Sequence, residues 1–346
     1  MASSILGSIK KDSIRNIFTS ICESEHISRA QIAKQTGLSL MTVGKAVDEF
    51  LRLGFAAQEK ESKNMAGRKA GLVCLNPVKF FLILDLTRQN FQMIMMNSSF
   101  CVLDHLSYDF DPECYCEENL CIFLKNVKIY TLRYLEMEHC IGIGILVPGN
   151  YDETSDEIVN LRFNGFEKIK IRSIAEEILK FPVSYIKNDI QSAALSNIAD
   201  FPKYREQLVS YVCLRNYVSG TLLSNGHFLG GNNSSGSLLG KISLGAYTLD
   251  DVISSAGLNE AGMEALSHTL YNLIWIVNPN IIIIENELPY MGDDLCSDLE
   301  KRLSEKLKAF SKQPPAIVLG NREIRHAHRG LAMSIRNQWI EELLQN

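Results

Sequence analysis

No stretch of this 346-residue chain approaches the ~20 consecutive apolar residues that a membrane-spanning helix needs. Its longest apolar runs, such as Ile281 to Ile284, are interrupted by Asn, Pro or Glu. The opening MASSILGSIKKDSIR lacks a long apolar core followed by a small-residue cleavage site. No secretory leader is therefore expected, and the expected location is the cytoplasm. CxxC pairs are missing too. The nine cysteines are odd in number and dispersed, which fits reduced thiols rather than a disulfide framework. Cys114 and Cys116 stand close together, but structural zinc wants four ligands in paired spacing, so no metal is expected. An excess of positive charge is also absent. With 35 Lys and Arg against 40 Asp and Glu the net charge is −5, which excludes attraction to nucleic acid over the whole surface.

What is present is uneven. The first 76 residues carry eleven Lys and Arg against seven Asp and Glu, a basic head on an acidic body, and that asymmetry points to a local nucleic-acid contact with a separate task behind it. Hydrophobic residues at 46% and charged residues at 22% are enough for a large core, and the length suggests two or more units.

Within the head, Ile14, Ile17, Phe18 and Ile21 recur at helical spacing and predict a first helix over about Lys11 to Cys22. Ser28 is placed to cap a second, which runs to Gln35 and ends at Gly37, where a left-handed conformation closes it. Ser39 is the N-cap of a third, reaching about Leu53, with Val43, Ala46, Val47 and Phe50 turned inward. This is the order of a helix-turn-helix, whose second helix presents the residues of its first turns to base edges in the major groove. Ser28, Arg29, Ser39, Leu40, Met41, Thr42 and Lys45 are the candidate DNA contacts. The apolar members favour methyl contacts to thymine over Arg-to-guanine reading. Two short strands, around FAAQEK and GLVCLNP, flank a basic turn that reads as a wing, with Arg68 and Lys69 directed at phosphate or the minor groove. A three-helix protein adaptor is the alternative reading of the same residues.

From residue 77 to residue 346 strands alternate with helices, which predicts a mixed α/β body. Here the residues resemble a known family. SRAQIAKQTGLSLMTVGKAVDEFLRLGF with GRKA and LNP, IGIGILVPG, KNDIQSAAL, SGTLLSNGHFLGGNN and NPNIIIIENEL are similar, in order and spacing, to segments of the ROK family of sugar-responsive repressors and sugar kinases, and specifically its repressor branch. The resemblance implies a winged helix-turn-helix over residues 1–76 and an actin-like, ribonuclease H-like two-lobed body over residues 77–346. It also implies a homodimer or homotetramer and a double-stranded DNA operator. A sugar or sugar phosphate would sit in a cleft, with Asn188 and Asp189 on its hydroxyls and Gly142, Gly144, Pro148 and Gly149 allowing close backbone approach. Read without the family, Asn188 and Asp189 cap a helix and the glycines serve a tight turn.

Departures from the family pattern argue against kinase chemistry. The glycines that wrap ATP phosphates are replaced by Asp85-Leu86-Thr87-Arg88-Gln89 and by Glu285-Asn286, and an acidic side chain repels phosphate. The family's GEIGH segment is replaced by Ser237-Leu238-Leu239-Gly240-Lys241, and its zinc-binding cysteines by GAYTLDDVISSAGL. No catalysis, no cofactor and no zinc are therefore expected. Two readings of the body remain: an anionic effector paired with Lys241, or a scaffold without an effector.

Overall fold

The computed structural model describes residues 9–58, 71–88, 90–111, 116–159, 165–166, 168–215, 217–229, 238–290, 292, 294–310, 312–321 and 326–345. The head comprises α1 (Lys11–Cys22), α2 (Arg29–Thr36), α3 (Leu40–Arg52), β1 (Ala56–Gln58) and β2 (Val73–Leu75). Its helices turn Ile14, Ile17, Phe18, Ile32, Val43, Val47 and Phe50 into one core. β1 and β2 pair antiparallel, Ala56 opposite Leu75. Residues 59–70 between them, including Gly67, Arg68 and Lys69, lie outside the described residues.

The body begins with β3 (Phe80–Asp85), β4 (Asn90–Asn97), β5 (Val102–Asp109), α4 (Glu117–Tyr134), β6 (Cys140–Val147), β7 (Asn150–Asp152), β8 (Glu157–Val159), α5 (Ile171–Leu179) and β9 (Val183–Asn188). After α6 (Asp189–Ala199) come β10 (Leu208–Leu214), β11 (Val218–Ser224), β12 (His227–Phe228), β13 (Ser243–Leu244), β14 (Tyr247–Thr248), α7 (Leu249–Ala256), α8 (Glu260–Ile276), β15 (Ile281–Asn286), α9 (Leu295–Leu307), β16 (Ala316–Leu319) and α10 (His326–Gln345).

The body is one strand plan used twice. The first sheet runs β5-β4-β3-β6-β9 and the second β12-β11-β10-β15-β16. In each, a three-strand antiparallel meander is followed by two parallel strands on the other side of its first strand. Alternation along the strands sorts the side chains between two faces. Phe80, Leu82 and Leu84 face a core under α4 and α5, whereas Phe81 and Ile83 face inward. On β15, Ile282 and Ile284 meet α7, α8 and α9, and Ile281 and Ile283 turn inward. The inward faces enclose α6 and α10, whose Ile190, Ala193, Leu331 and Ile335 fill the space between the sheets.

Two glycines read from the sequence as ligand-facing are required by this packing. A Cβ on Gly144 would stand 2.7 Å from Leu331 Cδ2, and one on Gly142 2.6 Å from Ile335 Cγ2. Bare backbone on β6 is what lets α10 lie so close. α10 then continues beyond the body. Trp339 stacks on Phe55 with ring centroids 3.5 Å apart, Ile340 is buried in the head core, and Arg15 donates to both carboxylate oxygens of Glu341 at 2.7 Å.

Candidate functional sites: the head surface and the interlobe cleft

At the head, polar side chains fix the helices and leave apolar ones outside. Ser28 and Gln31 form a reciprocal capping box at α2, and Gly37 takes φ +68° at its end. Ser39 Oγ accepts from Thr42 N–H at 3.1 Å and lies 2.9 Å from Thr42 Oγ1, so both residues are committed to starting α3. Arg29 crosses to Asp48 at 2.6 Å, tying α2 to α3. Leu40 and Met41 are 61% and 70% exposed, a high value for apolar side chains on the first turn of a well-anchored helix. Lys45, one turn further, is exposed. Of the seven described candidates, then, Leu40, Met41 and Lys45 present themselves outward, while Ser28, Arg29, Ser39 and Thr42 build the surface that holds them.

The second site lies where strand C-terminal ends of both sheets converge, the position at which open α/β sheets collect ligands. Asp85, at the end of β3, is buried and its Oδ1 accepts from Thr87 N–H at 2.8 Å and Thr87 Oγ1 at 2.6 Å. Its Oδ2 lies 2.8 Å from His328 Nε2 on α10. Burial opposes ionisation of Asp85, but the hydrogen bonds from His328 and Thr87 outweigh it and hold the carboxyl below its ordinary range.

Across the cleft stands a residue that sequence reasoning missed. Arg215, just past β10, reaches Asp189 Oδ2 at 2.7 Å, Glu285 Oε1 at 3.2 Å and Glu287 Oε1 at 2.9 Å. Glu285 also accepts from the buried Tyr211 hydroxyl. Burial and the adjacent Glu285 push the Tyr211 phenol well above its ordinary range, which keeps it a donor. Asp189, which the resemblance would place on a sugar hydroxyl, thus has a guanidinium on its carboxylate. Asn188 spends its Oδ1 on Gln191 N–H at 2.7 Å as the cap of α6, and its Nδ2 donates to Asn150 Oδ1 at 2.7 Å. Gly149 is buried after β6. The cavity bounded by Asp85, Thr87, Asp189, Arg215, Glu285 and His326 holds about 10 Å³, against the ~300 Å³ or more of an ordinary small-molecule site.

Lys241 belongs to neither group. Its side chain is 67% exposed and pairs with Asp250 Oδ2 at 3.2 Å at the start of α7, so its charge is already answered within the chain. The segment standing in place of the zinc-binding cysteines forms β14 and α7, with Thr248 and Asp251 in a capping box. Among the described residues, the grouping with metal-ligand geometry is Glu136, Glu138 and His139, on the surface at the turn before β6.

No protein-family model matches the chain. A xylose repressor of Caldicellulosiruptor bescii is 25% identical over 193 residues, which are 52% of this chain and 45% of that protein. The chain therefore matches less than half the length of this curated relative. The solved structure of a ROK family transcriptional regulator, a homologue of the Escherichia coli MLC protein, superposes with a TM-score of 0.70 at 14% identity over 97% of this chain and 98% of the other. A ROK hexokinase of Thermus thermophilus superposes with a TM-score of 0.55 at 16% identity over 75% of this chain and 98% of the enzyme. The fold is thus that of the ROK proteins, and the match to the regulator extends over nearly the whole chain where the match to the kinase stops at three-quarters.

Proposed function

We propose that this chain is a DNA-binding transcriptional repressor of carbohydrate-related genes, with winged heads held at a fixed separation by body-to-body association as a homodimer or homotetramer. The observation that carries it is the first turn of α3, where Leu40 and Met41 stand out to solvent beside Lys45 on a helix fixed by the Ser39 cap. Exposed apolar side chains there have a use against thymine methyls, and Lys45 has one against phosphate. Arg68 and Lys69, which lie outside the described residues, are proposed to complete the contact. Fragments of the gene's own upstream region in a fluorescence-anisotropy titration test the reading. Sequence-selective binding that weakens steeply with salt is expected, and its absence at low salt sinks the proposal.

The body, on this reading, performs no phosphoryl transfer. Arg215 on Asp189 removes the free carboxylate that a general base requires, and Glu285 stands where phosphate-binding glycines would be needed. Control by a sugar or sugar-derived effector at Gly149, Asn188 and Asp189 requires the lobes to part and Arg215 to withdraw, because the cleft as built has about 10 Å³ of free space. That same closure favours a second reading, in which the cleft takes no effector and the body serves as a scaffold. A thermal-shift series over sugars, sugar phosphates and related acids separates the two: a concentration-dependent rise in Tm supports the effector, and none supports the scaffold.

A further inference from the structure

The first sheet ends at β5, whose outer edge has no strand beside it among the described residues. Such an edge offers a row of backbone N–H and C=O groups to any extended chain, and proteins ordinarily blunt it with Lys, Pro or a bulge. β5 contains neither Lys nor Pro. Its one irregularity lies at its start, where the ladder to β4 passes from Val102 to Asp104. From Asp104 to Asp109 the strand pairs with β4 residue by residue.

Beside this edge a groove of about 260 Å³ opens between β5 and α4, lined by Leu106, Tyr108, Asn126, Ile129, Tyr130 and Tyr134. Ile129 and Tyr134 are 56% and 63% exposed. The helix runs antiparallel to the strand: the Tyr130 hydroxyl donates to Asp104 near one end, and the Tyr108 hydroxyl donates to Asn119 Oδ1 at 3.0 Å near the other. Ile122, Asn126, Ile129 and Arg133 follow one another at helical spacing along one flank of α4, with Glu118 a turn before them.

The groove is charged oppositely at its two ends. Asp109 and Glu118 are exposed at the end marked by Tyr108, and Arg133 is exposed over the Tyr134 ring at the other. Among the described residues none of these three has an ion pair. Asp104, by contrast, is spent on Tyr130 and on the His105 N–H at 2.8 Å.

We propose that this edge binds an extended peptide of another protein as a sixth, antiparallel strand. Its backbone would complete the β5 ladder, and its alternate apolar side chains would enter the groove. A basic residue at its N-terminal end would face Asp109 and Glu118, and an acidic one at its C-terminal end would face Arg133. A second copy docked edge to edge is the poorer occupant, because it would bring another Asp104 and Asp109 to a strand that carries no Lys or Arg. The surface is separate from the head and the cleft and does not rest on the DNA-binding reading.

Three fluorescein-labelled peptides titrated against the full chain by anisotropy test this. KTLTVTE places Lys, Leu, Val and Glu on one face at strand spacing, ETLTVTK exchanges its ends, and KTLPVTE removes one central N–H. Saturable binding of KTLTVTE is expected, about fivefold weaker for the exchanged peptide and about tenfold weaker for the proline peptide. I129E, an exposed change that leaves folding intact, should abolish binding. The double variant D109K with R133E should reverse the preference and favour ETLTVTK, a result that general stickiness would not give. No saturable binding of KTLTVTE, equal binding of all three peptides, or unchanged binding by I129E overturns the proposal. Self-association that I129E abolishes, without peptide binding, assigns the edge to a second copy and overturns it too.

Discussion

Arg215 Nη1 lies 2.7 Å from Asp189 Oδ2, both side chains largely withdrawn from water. The buried carboxylate is half of an ion pair, and Glu285 and Glu287 surround the same guanidinium. Removing one partner of such a cluster strands the others. R215M is expected to destabilise the chain by about 3–5 kcal/mol, whereas the paired change R215M with D189N and E285Q should recover a large part. Urea denaturation measures both, and an unaltered midpoint for R215M would show the cluster to be energetically idle.

Acid stability should carry the signature of Asp85. Its folded pKa lies below the ordinary 3.8, so its contribution to stability is complete above that value and disappears as pH falls through the lower folded one. In D85N the acid limb of the stability curve should flatten over that interval, while the slope near neutral pH stays unchanged. Melting temperatures across an acid pH series give the comparison, and parallel limbs for the two proteins count against the assignment.

The docking of α10 on the head is testable at Trp339, which stacks on Phe55. W339A removes an aromatic pair and leaves a gap beside Phe55, an expected loss of about 3 kcal/mol. The loss should concentrate in the head, so limited proteolysis is expected to cut there first and operator affinity to drop. Uniform destabilisation of head and body would contradict a localised dock.

Lys45 and Met41 should separate two kinds of DNA contact. K45A is expected to weaken binding similarly on all sequences and to reduce the salt slope by about one. M41A should change the ranking of operator variants with little effect on that slope. Both side chains are exposed, so stability should stay within about 0.5 kcal/mol of wild type. Equal effects of both on the salt slope would refute the division.

G144A tests whether the β6 glycine serves packing. Its added methyl would meet Leu331 at 2.7 Å, and overpacking of this kind costs about 1–3 kcal/mol. The double variant G144A with L331A should recover stability relative to the sum of the single changes, which a ligand-facing glycine would not do.

The head was legible almost residue by residue, because Ile14, Ile17, Phe18 and Ile21, then Val43, Ala46, Val47 and Phe50, keep a helical period between the Ser28, Gly37 and Ser39 stops. The longer strands of the body's two sheets were legible from their apolar runs, whereas the four-residue β16 was not read. Short helices were harder: α5 has nine residues and α7 eight, too few turns to set a helical period apart from its surroundings, although Thr248 and Asp251 form a recognisable capping pair. Arg215 was invisible. It follows LVSYVCL as one more polar residue at a turn, and its partners lie 26, 70 and 72 positions away, so only the duplicated sheets bring them together. Asn188 caps α6 as its residues alone suggested, but its contact with Asn150, like that of Lys241 with Asp250, arises only in three dimensions.

The seating of Trp339 and Ile340 in the head core sets a schedule for the chain's synthesis. The head leaves the ribosome first, yet two of its packing partners are made near the other end of the chain, on the order of tens of seconds later at ordinary elongation rates. Until then Phe55 has an open face, and a half-finished chain holds a head that is unfinished as well. The head core is therefore complete only once α10 has been made and docked.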